Sequence, residues 1–257
     1  MFQVSAISAF SDNYIWMIHG SDNQVAVVDP GAAQPVIEAL QECGKTLAAI
    51  LITHHHNDHT GGVNELLERH QVPVYGPENC KYSGITRPLK DADNIELFNR
   101  SLSIKTVPGH TLDHICYLNE TAGGAQIFCG DTLFLAGCGR VFEGSMGQML
   151  KAMHYFKQLR EDTKIYCTHE YSLSNLAFAQ SVEPDNLYIQ QQIEHCSNLR
   201  VEGKPTLPTD IASELLINPF LRCDNPDIQH TAALYSKKTV NSELDTFTVL
   251  RNWKNIF

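Results

Sequence analysis

Residues 53–62 read Thr-His-His-His-Asn-Asp-His-Thr-Gly-Gly and are the most informative stretch of the chain. They follow the apolar run Leu47 to Ile52, which has the length of a strand. They precede the segment Val63 to His70, whose apolar residues have the spacing of a helix. The polar stretch is therefore predicted to form a loop from a strand to a helix, in which Gly61 and Gly62 let the backbone turn tightly.

This loop can present two sets of metal donors. In an extended segment, alternate side chains point to opposite sides, so His54 and His56 are expected to share one side while His55 faces away. Asp58 and His59 come around the turn. Two adjacent sets of imidazole and carboxylate groups could hold two divalent cations side by side, an arrangement that suits hydrolysis.

A simpler interpretation is that the histidines are a weak surface metal trap, or that each is a hydrogen-bonded residue of the core. The spacing argues against it, because H-x-H-x-D-H at the end of a strand, followed by two glycines, has few structural uses.

Three further donors lie in similar places, each directly after a short run that is typical of a strand. They are His110 after Ser103 to Val107, Asp131 after Gln126 to Cys129, and His169 after Lys164 to Thr168. Loops at strand ends of one sheet can converge on a single edge, so these side chains are expected to complete both metal sites. Nitrogen and oxygen donors without thiolate suit zinc, and also iron or manganese.

The first part of the chain has an α/β pattern. Strands are also predicted at Val25 to Val28 and Val72 to Tyr75. Helices are predicted at Pro35 to Cys43, ended by Gly44, and at Gly147 to Arg160. These elements predict a layered α/β domain over residues 1–171.

After Tyr171 the pattern becomes helical. Asn186 to Arg200 is polar with helical spacing, and Ser242 to Asn252 is predicted to place Leu244, Phe247 and Leu250 on one side of a helix. Residues 172–257 are therefore predicted to form a small helical second domain.

Composition excludes several classes of function. The formal net charge of -10, without any local run of Lys or Arg, disfavours nucleic acid as a partner. Apolar runs are too short to cross a membrane, and the start of the chain lacks the pattern of a signal peptide, so a cytoplasmic protein that begins near Met1 is expected.

The eight cysteines form no C-x-x-C pair, and most are expected to be buried. The segment Gly144 to Gly147 does not match the G-x-S-x-G pattern of a serine nucleophile.

The donor pattern resembles that of the metallo-β-lactamase superfamily, which implies an αββα sandwich. Within that superfamily the chain is similar, over nearly its full length, to the glyoxalase II (hydroxyacylglutathione hydrolase) family. The segments that carry the resemblance are Phe10-Ser11-Asp12-Asn13-Tyr14, Asp29-Pro30-Gly31, the His54 motif, Pro108-Gly109-His110-Thr111, Phe128 to Phe134, Gly137-Cys138-Gly139-Arg140, His169-Glu170-Tyr171 and Asn218-Pro219-Phe220-Leu221-Arg222.

The resemblance implies a role for each matching residue. His54, His56 and His110 would hold one metal ion, Asp58, His59 and His169 the other, and Asp131 would bridge both. Glutathione would be bound by a basic residue in the glycine loop, an aromatic hydroxyl and an Arg-x-x-Lys pair. The matching positions are Arg140, Tyr171, Arg251 and Lys254, with Phe142 at a position where relatives carry Tyr. Spacing alone would make Arg251 and Lys254 a solvated helix face.

The implied reaction is hydrolysis of S-2-hydroxyacylglutathione, such as S-D-lactoylglutathione, by a hydroxide that bridges two metal ions, of which zinc is expected. Two divalent cations outweigh Asp58, Asp131 and a hydroxide, so the site would keep a positive charge for an anionic substrate. Asp58 and Asp131 are the expected catalytic residues, and a monomer with no partner beyond its small-molecule substrate is expected.

Other functions remain open at this point. The same metal site could serve a lactamase, a nuclease or a different thioesterase. A lactamase usually has Cys where this chain has Asp131, and a nuclease should have a basic face. A metal-binding module without catalysis is the alternative outside enzymes, although no donor of the pattern is missing.

Overall fold

The computed structural model describes residues 1–257 and contains two six-stranded sheets, one two-stranded sheet of β11 and β12, and nine helices. In chain order the strands are β1 Gln3–Ala9, β2 Asn13–His19, β3 Gln24–Val28, β4 Thr46–Leu51, β5 Val74–Pro77, β6 Arg87–Leu89, β7 Asn94–Leu97, β8 Arg100–Thr106, β9 Ile115–Thr121, β10 Gly124–Gly130, β11 Leu133–Phe134, β12 Gly137–Cys138, β13 Thr163–Cys167 and β14 Thr209–Asp210. The helices are α1 Ala33–Cys43, α2 Asn57–Thr60, α3 Val63–Arg69, α4 Met146–Lys157, α5 Ser172–Val182, α6 Leu187–Val201, α7 Ile211–Ile217, α8 Pro226–Ser236 and α9 Glu243–Lys254.

The first sheet contains β1 to β6 in sequence order, and the second has the order β14-β13-β10-β9-β8-β7. Strand β2 shows how the layers form, because its side chains alternate between two hydrophobic clusters. Ile15 and Met17 pack in an outer cluster with α1 and α3. Trp16 and Ile18 pack in the large cluster that the two sheets share. The chain therefore forms the αββα sandwich that the resemblance implies.

The predicted elements of this sandwich are confirmed. Each of the six apolar runs forms a strand, namely β3, β4, β5, β8, β10 and β13. Helix α1 ends at Gly44, whose φ of 64° is the left-handed conformation that glycine adopts readily. Helix α4 begins after Ser145, which caps it in a capping box with Gln148, so this serine has a structural role.

The helices after Tyr171 share the core of the sandwich. Phe178, Phe220 and Phe247 belong to the same cluster of 50 buried residues as Phe128 of β10. Strand β14 pairs antiparallel with β13 and so adds an unpredicted strand to the second sheet. Helical structure in this region is as predicted, while a domain boundary between residues 171 and 172 stays a prediction.

The apolar side of the last helix is only partly buried. Phe247 and Leu250 of α9 are buried, but Leu244 is 42% exposed. The buried part of α9 lies between Thr246 and Arg251, and Leu244 belongs to the first turn, before that part begins.

Six of the eight cysteines are buried, as expected, whereas Cys43 is exposed and Cys80 is partly buried. None of the helices has both the length and the apolar character needed to span a membrane.

Candidate metal centre and substrate cavity

The seven predicted donors lie together at one edge of the sandwich, in the two sets that the resemblance implies. His54 and His56 follow β4, and His110 lies on the loop between β8 and β9. His56 Nδ1 is 3.1 Å from His54 Nε2 and 3.1 Å from His110 Nε2. His54 and His110 are buried and His56 is partly buried, so the three nitrogens face a shared space at the end of the sheets.

Asp58, His59 and His169 form the second set. Asp58 Oδ2 lies 3.4 Å from His59 Nε2 and 3.4 Å from His169 Nε2. Asp131 lies between the sets, with Oδ2 at 3.5 Å from His110 Nε2 and 3.2 Å from His169 Nε2. Its position allows one carboxylate to contact cations in both sets.

The spacing of these donors fits two small cations. Ligands at 2.0 to 2.1 Å from a tetrahedral zinc ion are about 3.3 Å apart from each other. The donor atoms in both sets are separated by 3.1 to 3.5 Å. The donor atoms therefore lie at the separation found in a metal coordination shell.

Two buried atoms at the centre of the second set are without hydrogen-bond partners. They are His59 Nε2 and Asp131 Oδ1, which lie 3.5 Å apart. An unpaired buried polar atom costs free energy, and a cation between these two would satisfy both. The residues present therefore fit a divalent metal ion.

Electrostatics also favour positive charge at the second set. Burial alone would raise the pKa of Asp131, but the nearby His169 and His59 outweigh it and hold that pKa well below the usual range. Burial alone would lower the pKa of His59, but the carboxylates of Asp131 and Asp29 raise that pKa well above its usual value. Protons held at this place are released when a metal ion takes their position. At His54 burial lowers the pKa, which favours the neutral form that binds metals.

Carboxylates orient two of the histidines from behind. His59 donates from Nδ1 to Asp29 Oδ2 at 3.0 Å, and Asp29 is itself held by the backbone N–H and the hydroxyl of Thr53. His169 donates from Nδ1 to Asp12 Oδ1 at 2.7 Å. Such partners fix the ring and leave Nε2 free for a metal ion. The sequence signalled Asp12 and Asp29 only as parts of matching segments.

His114 was missed by sequence reasoning. It is fully buried, its ring stacks on that of His54 at 4.6 Å, and its Nε2 accepts a hydrogen bond from the backbone N–H of Asp131 at 3.1 Å. Its Nδ1 donates to the backbone oxygen of Ile115 at 3.1 Å. With both nitrogens engaged, His114 supports the centre. A signal was available only in its position four residues after His110.

The role expected for Gly61 and Gly62 needs correction. Both have ordinary negative φ angles of −59° and −84°, so no tight turn demands them. A Cβ at Gly62 would lie 2.4 Å from the backbone carbon of Ala32 and 2.7 Å from the backbone oxygen of Pro30. The glycine is needed because the ligand loop packs directly on the backbone after β3.

His55 points away from the donors, as predicted. Its Nδ1 donates to Asp113 Oδ1 at 2.9 Å, and its Nε2 lies 3.5 Å from Glu143 Oε1, which Lys81 also contacts. Both ring nitrogens of His55 therefore face carboxylates on neighbouring loops. This ion-pair cluster fixes the far side of the ligand loop.

A cavity of about 560 Å³ extends from the donors to the C-terminal helix. It contains all five predicted substrate-binding residues together with five of the donors; His54 and His59 lie buried beneath it. Its lining residues are His56, Asp58, His110, Asp131, Phe134, Cys138, Arg140, Phe142, His169, Tyr171, Ser174, Asn175, Arg251, Lys254, Asn255 and Phe257.

The near half of this cavity carries aromatic rings. Tyr171 stacks on His169 with ring centroids 4.6 Å apart, and Phe142 packs edge-on against His110 at 5.3 Å. Burial and nearby carboxylates, with Asp12 first, raise the pKa of Tyr171 to about 12, so its hydroxyl stays a hydrogen-bond donor. Arg140 is exposed, with its guanidinium over the Phe142 ring at 5.8 Å.

The far half carries two cations that spacing alone would place in solvent. Arg251 is only 5% exposed and donates to the backbone oxygen of Cys138 at 2.6 Å. Lys254 donates to the backbone oxygen of Ser174 at 2.9 Å. Burial, followed by the charge of Arg251, lowers the pKa of Lys254 to about 8. Both side chains are held in place at the cavity wall.

Comparisons with known proteins agree with this arrangement. The profile of the metallo-β-lactamase superfamily matches residues 10–169, and the profile of the hydroxyacylglutathione hydrolase C-terminus matches residues 170–257. A hydroxyacylglutathione hydrolase of Hahella chejuensis is 48% identical over 257 residues, covering 100% of both chains. The chain belongs to the hydroxyacylglutathione hydrolase family. A family member from Aliivibrio salmonicida is 49% identical over 258 residues, again covering 100% of both chains.

Solved structures agree on the fold of this family member. ETHE1 from Myxococcus xanthus has a TM-score of 0.67 and 23% identity, covering 98% of this chain and 91% of that chain. A metallo-beta-lactamase from Staphylococcus aureus has a TM-score of 0.65 and 18% identity, covering 99% of this chain and 71% of that one. At these identities the likeness concerns the fold alone.

Proposed function

We propose that the protein hydrolyses the thioester of S-2-hydroxyacylglutathione, with S-D-lactoylglutathione as its substrate and glutathione and D-lactate as products. This reaction is the second step of methylglyoxal detoxification. Membership of the hydroxyacylglutathione hydrolase family supports the reaction class. The observation that carries the proposal is the single cavity that joins the His and Asp donors to Arg140, Arg251 and Lys254.

The two halves of the cavity match the two halves of such a substrate. Glutathione carries two carboxylates, and three cationic side chains line the cavity, Arg140 near the aromatic rings and Arg251 and Lys254 at the C-terminal helix. The thioester would then lie at the donor end, between Tyr171 and Phe142. An anionic tripeptide is held although the whole protein has a net charge of -10, because the local charge of the cavity wall is positive.

We propose that His54, His56 and His110 hold one divalent ion, that Asp58, His59 and His169 hold a second, and that Asp131 contacts both. Zinc is the proposed metal, with iron and manganese as alternatives that the same donors accept. Two such ions would lower the pKa of a bound water to about 7 and polarise the thioester carbonyl.

The protein's own residues would then orient and release the substrate. Asn13 donates to Asp58 Oδ2 at 3.1 Å, which fixes the carboxylate and leaves its other oxygen to accept a hydrogen bond from the attacking water. Tyr171 and Arg140 would donate to the peptide part of the substrate and hold the thioester in place. The leaving glutathione thiolate has a pKa of roughly 8.5 in solution and needs little help from an acid.

The test is an assay of purified protein with S-D-lactoylglutathione, with an acyl thioester that lacks glutathione, and with a β-lactam. Hydrolysis of the first alone, loss of activity after chelation and recovery with two equivalents of Zn²⁺ are the expected results. Equal rates on both thioesters would contradict the role of glutathione. Hydrolysis of the β-lactam alone would contradict the reaction.

Four further expectations belong to the proposal. We propose that the protein acts as a monomer in the cytoplasm, and that it binds neither nucleic acid nor membrane. The net charge of -10 supports the exclusion of nucleic acid. Sedimentation of the purified protein tests the monomeric state, and its retention on a nucleic-acid column tests the absence of nucleic-acid binding.

A further inference from the structure

The hairpin of β11 and β12, here called the 133–138 hairpin, is held by side chains from the C-terminal helices. Its strands pair Leu133 with Cys138 and Phe134 with Gly137, and its turn at Ala136 has a φ of 51°. All six residues are buried, so the outward-facing backbone groups have no access to water. Such groups must find partners elsewhere in the protein.

Asn218 provides two of these partners. Its Nδ2 donates to the backbone oxygens of Phe134 at 3.2 Å and Gly137 at 3.0 Å, and also contacts Glu214 Oε2 at 2.8 Å. Its Oδ1 accepts from the backbone N–H of Phe220 at 3.0 Å. Asn218 opens the matching segment Asn218 to Arg222, to which the reaction itself gives no role.

Glu214 and Asn175 provide further partners, in addition to Arg251, which donates to the backbone oxygen of Cys138. Glu214 Oε2 accepts from the backbone N–H of Ala136 at 2.8 Å, and its Oε1 accepts from the Thr209 hydroxyl at 2.8 Å. Asn175 Nδ2 donates to the backbone oxygen of Leu135 at 3.1 Å. Glu214 and Asn218 are fully buried. The turn of the hairpin is therefore bonded to helices α5 and α7.

The hairpin lies directly between parts of the proposed centre. Asp131 is two residues before it and Arg140 is two residues after it. The backbone oxygen of Arg140 accepts from His110 Nδ1 at 2.8 Å. At Gly139 a Cβ would lie 1.9 Å from the backbone oxygen of Asp131, so the two ends of the hairpin are packed against each other. A shift of the hairpin must move Asp131 and the support of His110 together.

We propose that Asn218 and Glu214 are positioning residues for the metal donors Asp131 and His110, and that they act through the 133–138 hairpin. This inference rests on the proposed metal centre. It gives the C-terminal helices a second role beyond binding glutathione. Loss of Asn218 takes one donor from each of two buried backbone oxygens, and a shift of the hairpin would be needed to replace it.

The test compares the Zn²⁺ affinity of wild type, Asn218→Ala and a control, by competition with a chromophoric chelator. The control is Ile228→Ala, a fully buried residue of α8 whose side chain cannot hydrogen-bond to the hairpin. Both variants should unfold at lower urea concentrations. Only Asn218→Ala should bind Zn²⁺ about 10- to 100-fold more weakly, the usual effect of losing an outer partner of a metal ligand.

Two further readouts separate positioning from general destabilisation. The absorption bands of Co²⁺-loaded protein should shift in Asn218→Ala and stay unchanged in Ile228→Ala. With S-D-lactoylglutathione, kcat should fall while KM stays near that of wild type, because Asn218 does not line the cavity. Asn175→Ala, which removes one hydrogen bond to the hairpin, should show a smaller loss of Zn²⁺ affinity.

Unchanged Zn²⁺ affinity in folded Asn218→Ala would overturn the inference, as would an equal loss in the control. If Asn218→Ala does not fold, Glu214→Gln and Asn175→Ala decide by Zn²⁺ affinity and by the absorption bands of the Co²⁺-loaded protein. A wild-type protein that binds no Zn²⁺ would overturn the metal centre itself, and this inference with it.

Discussion

Arg251 donates a hydrogen bond from Nη1 to the backbone oxygen of Cys138 at 2.6 Å, and so ties helix α9 to the loop that carries Arg140. If Arg251 only bound glutathione, its guanidinium would extend into the cavity without hydrogen bonds to the rest of the protein. Arg251 is instead buried, and its guanidinium also lies over the Phe220 ring at 5.2 Å.

Replacement of Arg251 by Ala should therefore change stability as well as binding. We expect kcat/KM for S-D-lactoylglutathione to fall about 10- to 150-fold, as for a lost charge-assisted hydrogen bond. The unpaired Cys138 oxygen should lower the free energy of unfolding by about 1 to 3 kcal/mol. Steady-state kinetics and urea unfolding check this. An unchanged unfolding midpoint would show that the bond to Cys138 contributes nothing.

Lys254 should make substrate binding depend on pH. Burial and the charge of Arg251 lower its pKa to about 8, so it loses its proton as the pH rises through that value. Because kcat/KM reports the ionisation of the free enzyme, kcat/KM for the glutathione thioester should fall above pH 8. Lys254→Arg, which keeps its charge, is the control and should lack this decline. Superimposable profiles of the two proteins would refute the assignment.

Phe142 offers a gain-of-function test. Its ring is 59% exposed and lines the cavity, so a hydroxyl can be added without displacing packed atoms. Phe142→Tyr should lower KM for S-D-lactoylglutathione about two- to tenfold, the value of one neutral hydrogen bond. The thioester without glutathione serves as the control. A KM that does not change means that substrate does not reach this position.

Substitution of Asp131 should reduce metal content and activity far more than substitution of His55. Asp131 lies between both donor sets, whereas His55 faces Asp113 and Glu143. Asp131→Ala should lose bound metal and more than about 100-fold in activity, beyond the usual effect of an outer partner. His55→Ala should keep its metal and most of its activity. Elemental analysis with kinetics on both folded variants decides, and equal losses would contradict the assignment of Asp131.

Glu214 should make stability fall as the pH rises from about 5 to about 7. Burial raises its pKa to about 7 in the folded protein, above the ordinary 4.5. Between these values the folded protein keeps a proton that the unfolded chain has released, so the free energy of unfolding decreases with pH. The decrease should total about 3 kcal/mol, and Glu214→Gln should lack it. Urea unfolding at several pH values checks the sign, and a flat profile for wild type would contradict it.

Much of the proposed metal centre could be predicted, because each donor directly follows a strand in the sequence. The His54 motif follows one strand, and His110, Asp131 and His169 each follow another, so strand periodicity alone placed them at sheet ends. Strands such as β2 and β9 were not predicted. Their side chains are buried on both faces, so the alternation of a half-buried strand is absent, and they also lack the run of Val that indicated the equally buried β3.

The side chains that hold the metal donors in place could not be predicted, and the reason is different. Asp29 hydrogen-bonds to His59, which is 30 positions away in the sequence. The hydrogen bond of Asp12 with His169 spans 157 positions, and that of Asn218 with Gly137 spans 81. Only the packed fold brings these partners together. Their residue types alone indicate turns or caps as readily as they indicate a support.

The shared core has a consequence for anyone who redesigns this enzyme. Phe178 of α5, Phe247 of α9, Phe220 of the loop between α7 and α8, and Phe128 of the second sheet lie in one cluster. A chimera that exchanged residues 172–257 for another recognition module would cut through packed interior and leave apolar surface bare at the join. Altered substrate choice is better sought by changing single side chains on the cavity wall than by transplanting whole segments.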